Sequence, residues 1–466
     1  MRTARELAHA VLLRQVLRFP DLLPTEVPDA GLDPREASLA AAICKVAVRH
    51  WRSIGAVLRG TLEQPIDRLA PPVRTLLLSG LAQMLFLDRV PVHAAIDETV
   101  ELCKRVASPA ASKLVNAVLR RVSRLMAEPF HQPGPWMGDD RTLPTSDGRM
   151  LVFTGPVLPP DAVRGLAAAT SHAQELVDGW IQQFGLERAK ELALHNMCEP
   201  PIVVNLAHAS AETRAAWEAQ SVPHRSNQHR VFTGERQTLT KLVQAHPDAW
   251  VQDASSSAAV TRVAEALRDY RTATIADACA GQGTKTRQLA ALFPDAMIFA
   301  SDADSDRLSA LRKVFAGHAR VRVVTLDELR QRSALAGHPG KFDLVLLDVP
   351  CSNTGVLARR PEAKLRADAT QLARLVALQR EILTWATPLA AQIAYSTCSL
   401  ERGENEDQAA WACETLKLEL MLEQREMVSG QPGQSPSEYA DAAYLAILRP
   451  ASATPRSLSL PEALPD

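Results

Sequence analysis

Apolar positions in the first part of the chain recur at intervals of three and four. Ala4, Leu7, Ala8, Val11, Leu12 and Val16 fall on one helical stripe. Segments 35–59, 71–87, 92–106 and 109–126 repeat the pattern, with breaks at Pro65, Pro71-Pro72, Pro91 and Pro109. Five or more helices over 1–126 predict an all-α domain large enough to bury its own core. Periodicity stops at 127–160, where a linker or inserted hairpin is expected, with a tight turn at Ser146-Asp147-Gly148 before Met150–Phe153. Residues 161–249 combine helical patterns at 161–184, 187–197 and 211–220 with an apolar run at 202–206, a small α/β connector.

From 250 to 450 the period changes again. Thr272–Ala276, Met297–Ser301, Val321–Thr325, Phe342–Leu347 and Ala391–Ser396 are short apolar runs, and helical stretches at 285–292, 305–316 and 370–388 separate most of them. Alternation of this kind predicts a parallel, doubly wound sheet of the α/β class. The tail, 451–466, is expected to be disordered.

Charge changes the picture only locally. The net charge is −1, so no global basic field advertises nucleic acid. Up to residue 125, however, eighteen Lys and Arg stand against twelve Asp and Glu, a net of +6, leaving −7 elsewhere. A mildly basic N-terminal domain fits a polyanionic partner. Arg120, Arg121 and Arg124 are candidates for phosphate contacts or for a solvated helix face. The seven cysteines are an odd number without framework spacing and without a Cys-x-x-Cys pair. Reduced thiols in the cytoplasm, and no metal site, are the expectation. No apolar run of membrane-spanning length occurs, so no membrane partner is expected.

Candidate chemistry gathers at the ends of the predicted strands, where open α/β sheets place ligands. Asp277-Ala278-Cys279-Ala280-Gly281-Gln282-Gly283-Thr284-Lys285 follows the first strand and opens a helix, so backbone N–H groups and two glycines can approach a ligand closely. Asp302 ends the second strand, where a carboxylate can accept ribose hydroxyls. The spacing matches neither a full dinucleotide fingerprint nor a phosphate-binding loop. A nucleoside cofactor without phosphates, S-adenosylmethionine, needs only the ribose acid and close backbone approach. Further on, Leu347-Asp348-Val349-Pro350-Cys351 and Tyr395-Ser396-Thr397-Cys398-Ser399 deliver a carboxylate and two thiols to the same edge. Those groups suit covalent attack on a pyrimidine. A thiolate adding at C6 makes C5 nucleophilic enough to take a methyl group, while an acid such as Asp348 holds the base as charge develops. Either thiol could be the nucleophile.

On these motifs the chain resembles the bacterial RsmB (Sun/Fmu) 16S ribosomal RNA cytosine-C5 methyltransferases, within the Sun-type RNA cytosine methyltransferase family. The likeness extends to Gln252-Asp253-Ala254-Ser255-Ser256, to Ser352-Asn353-Thr354-Gly355 with Arg359-Arg360-Pro361-Glu362, and to Glu404-Asn405. In the N-terminal part, Pro91–Val100 and Asn116–Arg121 resemble the family's NusB-like RNA-binding domain. The resemblance implies a Rossmann-like class I methyltransferase domain, preceded by the NusB-like domain and the connector. It makes Cys398 the nucleophile and Cys351 the thiol that assists release, with Asp348 at the cofactor–base junction. It also makes Cys279, Ala280, Gly281, Gln282, Gly283, Thr284, Lys285, Asp302, Asp327 and Asp348 the cofactor-binding set. The implied partner is ribosomal RNA and not DNA, and a monomer is expected. Two departures stand out: Gln282 replaces the family's proline, and Thr284 occupies a glycine position. They are the only support for a different reading, an RNA-binding or antitermination-type factor whose methyltransferase domain is inactive.

Overall fold

The computed structural model describes residues 3–28, 31–335, 341–366 and 369–451; the tail expected to be disordered therefore lies, but for its first residue, outside the described residues. Two compact units emerge. One comprises Met1–Pro200, Leu357–Asp368 and Gly430–Ser435; the other comprises Pro201–Val356, Ala369–Ser429 and Pro436–Asp466.

The first unit opens with helices Ala4–Arg18, Pro34–Arg49, Trp51–Arg59, Pro71–Phe86, Val92–Val106 and Pro109–Leu125. Their starts are chemically marked. Thr3 and Glu6 form a reciprocal capping box, while Asp33 and Ser108 cap helices that begin with proline. Pro71–Phe86 is buried almost all round, from Val73 to Leu85, as a helix at the centre of a bundle must be. A Cβ at Gly80 would lie 3.2 Å from Thr99 and Leu119 side-chain atoms, so this glycine lets neighbouring helices approach. The continuous helix expected at 35–59 is broken at His50, whose ring stacks on Phe86 with centroids 3.7 Å apart. Arg120, Arg121 and Arg124 are exposed and hydrogen-bond to Asn116, the Thr61 carbonyl and the Arg120 carbonyl respectively.

Where the sequence suggested a linker or hairpin, β1 (Met126–Pro133), β2 (Thr142–Pro144) and β3 (Arg149–Phe153) form an antiparallel sheet in the order β1-β3-β2. Gly148, at φ +81°, closes the β2–β3 turn against Gly433, where a Cβ would come within 2.7 Å of backbone. Helices Ala162–Ala169, Gln174–Phe184 and Leu186–His195 follow. The single helix expected at 161–184 is interrupted because other segments take up its backbone and side chains. Ser171 (φ +61°) accepts the Arg52 amide, and the Ala173 amide donates to the Lys364 carbonyl. Lys364, fully buried, donates from Nζ to the Thr170 carbonyl at 3.2 Å.

The second unit begins with a small antiparallel sheet: β4 (Val203–Asn205), β5 (Ser221–Pro223), β6 (His229–Phe232) and β7 (Trp250–Val251), ordered β5-β6-β4-β7. The large sheet contains β8 (Thr274–Asp277), β9 (Met297–Ala300), β10 (Val321–Val323), β11 (Leu344–Asp348), β12 (Ile393–Thr397), β13 (Leu418–Glu426) and β14 (Ala443–Pro450). Its order is β10-β9-β8-β11-β12-β14-β13. β8 to β12 are parallel, whereas β14 runs antiparallel to β12, and β13 to β14. The wholly parallel sheet of the sequence reading is thus a mixed one.

Burial explains why β11 is apolar from Leu344 to Leu347. Leu344 and Leu346 enter one core with Ile275 and Ile298, while Val345 and Leu347 enter the other with Ile393 and Tyr395. A strand covered on both faces has no polar side to show. Truncating Leu346 to alanine would cost on the order of 2–5 kcal/mol. This rigid sheet carries the loops that follow.

Candidate active site

The β8 strand ends in Asp277, and the loop after it turns into helix Thr284–Leu292. Gly281 (φ +57°) and Gly283 (φ +83°) occupy the left-handed region that side chains rarely adopt. Gly283 is needed for space as well, since a Cβ there would meet the Phe315 ring at 2.5 Å. A Cβ at Gly281 meets nothing within 4 Å, so open space adjoins the loop. The Gly281 amide donates to Asp302 Oδ2 at 2.9 Å, and the Asp304 amide to Oδ1 at 2.9 Å. Each Asp302 oxygen keeps a lone pair for a ribose hydroxyl. The loop, the space beside Gly281 and the surrounding carboxylates suit a cationic nucleoside. These residues fit S-adenosylmethionine.

Cys279 lies in this loop, partly buried. Burial, with Asp277, Asp348 and Asp302 nearby, pushes its thiol well up and keeps it protonated. Gln282 is exposed and Thr284 half-buried. Asp327 is exposed in the first turn of helix Leu326–Leu335. Asp327 does not cap that helix; Thr325 and Glu328 cap it reciprocally. Beneath the loop, Asp277 is fully buried; it accepts from Thr286 Oγ1 at 2.6 Å, and its Oδ1 has no hydrogen-bond partner among the described residues. Burial raises its carboxyl from 3.8 to about 7, against the opposing effect of Thr286.

Asp348 and Ser396 are register partners at the ends of β11 and β12. Lys285 Nζ donates to Asp348 Oδ2 at 2.8 Å, and Ser396 Oγ to Oδ1 at 3.0 Å. Burial works against the Lys285 charge, yet Asp348, Cys398 and Asp277 outweigh it and raise its pKa. The loop from β8 is thereby tied to the next edge of the sheet.

Beyond those strands the two thiols meet. Cys351 and Cys398 sulfurs are 3.3 Å apart. The hydrogen bond to Cys398, burial, and the charges of Cys398 and Glu404 push Cys351 well above an ordinary thiol, so Cys351 stays protonated. Cys398, partly exposed, also lies 3.5 Å from Asn353 Oδ1, to which its thiol can donate. Asn353 holds a φ of +63° and donates from Nδ2 to the Cys351 carbonyl at 2.9 Å.

A buried network fixes this arrangement. Glu404 accepts the Ser352 amide at 2.9 Å, the Ser352 hydroxyl, and Gln379 Nε2 at 3.0 Å. Gln379 also donates to the Pro350 carbonyl at 3.0 Å. Asn405 accepts from Thr397 and donates to the Ser399 carbonyl at 2.8 Å. The Leu400 amide donates to Thr354 Oγ1 at 2.9 Å, and the Gly355 amide to the Cys398 carbonyl at 2.9 Å. Glu404, Gln379, Asn405 and Thr354 thus position the thiols without being among the residues the sequence reading assigned. Glu404-Asn405 and Ser352-Asn353-Thr354 were visible as motifs, but their pairing, and the part of Gln379 in it, were not. Gln252-Asp253 is structural: Gln252 Nε2 donates to Gln288 Oε1 at 2.7 Å, and Asp253 caps helix Ala254–Ala266.

The structure therefore brings Lys285, Asp348, Cys351 and Cys398 together, with Asp302 and Gly281 one loop away through Asp277 and helix Thr284–Leu292. Asp327 joins no hydrogen bond of this group. Two sequence comparisons agree with the geometry. The family model of 16S rRNA methyltransferase RsmB/F matches residues 264–445, and that of the NusB family matches residues 2–124. A ribosomal RNA small subunit methyltransferase B from Xanthomonas campestris pv. campestris is 30% identical over 384 residues, spanning 81% of this chain and 79% of the relative. This chain belongs to the RsmB/F methyltransferase family.

As a member of that family it is also similar to a ribosomal RNA small subunit methyltransferase B of Vibrio cholerae, at 26% identity over 412 residues, covering 85% of this chain and 86% of the relative. Among solved structures, the crystal structure of PH0851 shares the fold with a TM-score of 0.68 and 17% identity, covering 96% of this chain and 99% of that one. Among the described residues no helix is long and apolar enough to cross a membrane.

Proposed function

We propose that this protein transfers a methyl group from S-adenosylmethionine to C5 of a cytidine in small-subunit, 16S, ribosomal RNA, acting as a cytoplasmic monomer. The observation that carries the reading is the pair of sulfurs 3.3 Å apart at the ends of adjacent strands, beside an aspartate gripped by Lys285 and Ser396. Its family membership supports the same reaction class. We assign cofactor binding to the loop Cys279–Lys285 with Asp302, and Asp327 to the adenine side. The helical segment 1–126 is assigned to RNA positioning, with 161–249 as a connector.

Bound S-adenosylmethionine supplies an electrophilic methyl group on a sulfonium. The chain supplies the rest. A cytidine unstacked from the RNA enters the edge of the sheet, as base-modifying enzymes require. The Cys398 thiolate adds to C6, and the ring electrons move to C5, which takes the methyl group. Asp348 holds the polar edge of the base, and Lys285 holds Asp348. Solvent water takes the C5 proton, the C5–C6 double bond re-forms as the C6–S bond breaks, and Cys398 departs as thiolate. Cys351 keeps its proton and lies within hydrogen-bond reach of that sulfur, so it stabilises the departing thiolate.

Replacing Cys398 with alanine abolishes methylation of ribosomal RNA; unchanged turnover discredits the nucleophile assignment. Cys351→Ala accumulates a covalent RNA adduct, seen as a retarded protein band on a denaturing gel. Normal turnover with no adduct counts against the release role. Calorimetry with S-adenosylmethionine separates an active enzyme from an inactive scaffold, which has no reason to bind it, and bisulfite sequencing locates the cytidine.

A further inference from the structure

The helical unit holds a cavity of about 510 Å³ whose lining includes no residue of the large sheet. Arg52, Gly55 and Arg59 face it from helix Trp51–Arg59, at spacings of three and four that put them on one side. Arg74 and Arg164 complete a set of four arginines, against which stands a single carboxylate, Asp67, paired with Arg74 at 3.3 Å. The Nε atoms of Arg52 and Arg74 are buried without a hydrogen-bond partner among the described residues. Burial, and repulsion from Arg59, disfavour the charge on Arg52, and only Glu175 supports it. An anion in the cavity would answer both the unpaired donors and the repulsion.

Two further features narrow the occupant. Phe19 and Trp51 line the same cavity with their rings parallel to within 3° and centroids 5.7 Å apart, and Phe19 is 38% exposed. Flat aromatic surface beside arginines is how proteins hold unpaired bases with their phosphates. Gly55 sits inside a helix, where glycine is less favourable than alanine, yet an added Cβ would meet nothing within 4 Å. Packing does not require glycine there; a side chain at 55 would only occupy the cavity.

We propose that this cavity receives one nucleotide of single-stranded RNA, its phosphate on the arginines and its base on the Phe19–Trp51 rings. The proposal deepens, and rests on, the RNA-substrate reading above. It is tested on the full-length protein with a short fluorescent oligouridylate. Gly55→Leu, which fills the space, weakens binding about tenfold without lowering the melting temperature, and raises the KM for ribosomal RNA to a similar degree. Arg59→Gln lowers the slope of log affinity against log salt by about 0.7, the contribution of one phosphate contact on a single strand. Arg312→Gln, an exposed arginine of the sheet unit, leaves that slope unchanged.

Unchanged oligouridylate affinity in both Gly55→Leu and Arg59→Gln overturns the proposal. So does inorganic phosphate that binds the wild type and is lost in Arg59→Gln while oligouridylate binding is untouched, which makes this a free-anion site. Methyl transfer by the wild type, measured alongside, separates the two readings. If it persists while Gly55→Leu binds RNA normally, only the cavity assignment fails; if the wild type neither methylates nor binds RNA, the functional reading fails with it.

Discussion

Two buried carboxylates, one beneath the thiol pair and one beneath the glycine loop after β8, are treated in opposite ways. Glu404, beneath the thiols, has both oxygens occupied by Ser352 and Gln379. Asp277, beneath the cofactor loop, has one oxygen bonded to Thr286 and the other without a partner among the described residues. The difference shows what holds each side. The thiol edge depends on side chains reaching across long stretches of chain, so its acid is fully bonded. The cofactor loop is shaped by backbone, through the left-handed glycines and the amide-to-Asp302 contacts, and its buried acid is left under-bonded.

The largest effect that tests this contrast is on stability. Asp277 has a folded-state pKa raised from 3.8 to about 7. Between those values the folded state binds a proton that the unfolded state has released, so stability falls as pH rises through that window and levels off above it. The span corresponds to roughly 4 kcal/mol. Asp277→Asn removes the dependence: its melting temperature exceeds that of the wild type at pH 8 and matches it near pH 4. Equal melting temperatures at both pH values would show Asp277 to be no more strained than Glu404.

A smaller effect isolates the thiol side. A Cβ at Gly355 would lie 2.6 Å from the Cys398 carbonyl oxygen and 2.6 Å from the Ala442 Cβ. Gly355→Ala therefore displaces the Cys398 loop, and a shift of about 1 Å costs on the order of a hundredfold in turnover. Affinity for S-adenosylmethionine, measured by calorimetry, stays unchanged. If it drops in parallel, the two sides are not built independently.

The smallest effect isolates the cofactor side. Asp302→Asn gives up a carboxylate acceptor, and the KM for S-adenosylmethionine rises about tenfold, roughly one charge-assisted hydrogen bond. Turnover at saturating cofactor is retained, and a fall in that turnover instead would place Asp302 in the chemical step.

The same contrast explains what could be read from the chain. Glycines, prolines and acids at strand ends are local signals, so the Gly281–Gly283 loop, Asp348 and the two cysteines are legible in the sequence. The parallel strands were legible too, because β11 and β12 are covered on both faces and open with apolar runs, Leu344–Leu347 and Ile393–Tyr395. The outer antiparallel pair escaped. Leu418–Glu426 lies at the sheet edge, half-exposed and rich in glutamates, and shows no clean alternation. The break at 170–173 was hidden for another reason: it is made by Arg52 and Lys364, distant in sequence. Glu404 belongs with it, since its partners lie 52 and 25 residues away.

One consequence follows from the way the chain is shared out. Residues 357–368 and 430–435 belong to the unit that otherwise ends at Pro200. Leu357, Ala358, Lys364 and Leu365 are all buried there. During synthesis, therefore, the helical unit acquires its last pieces only after most of the sheet has left the ribosome. A fragment begun at residue 201 would carry Leu357, Ala358 and Leu365 with no place to go.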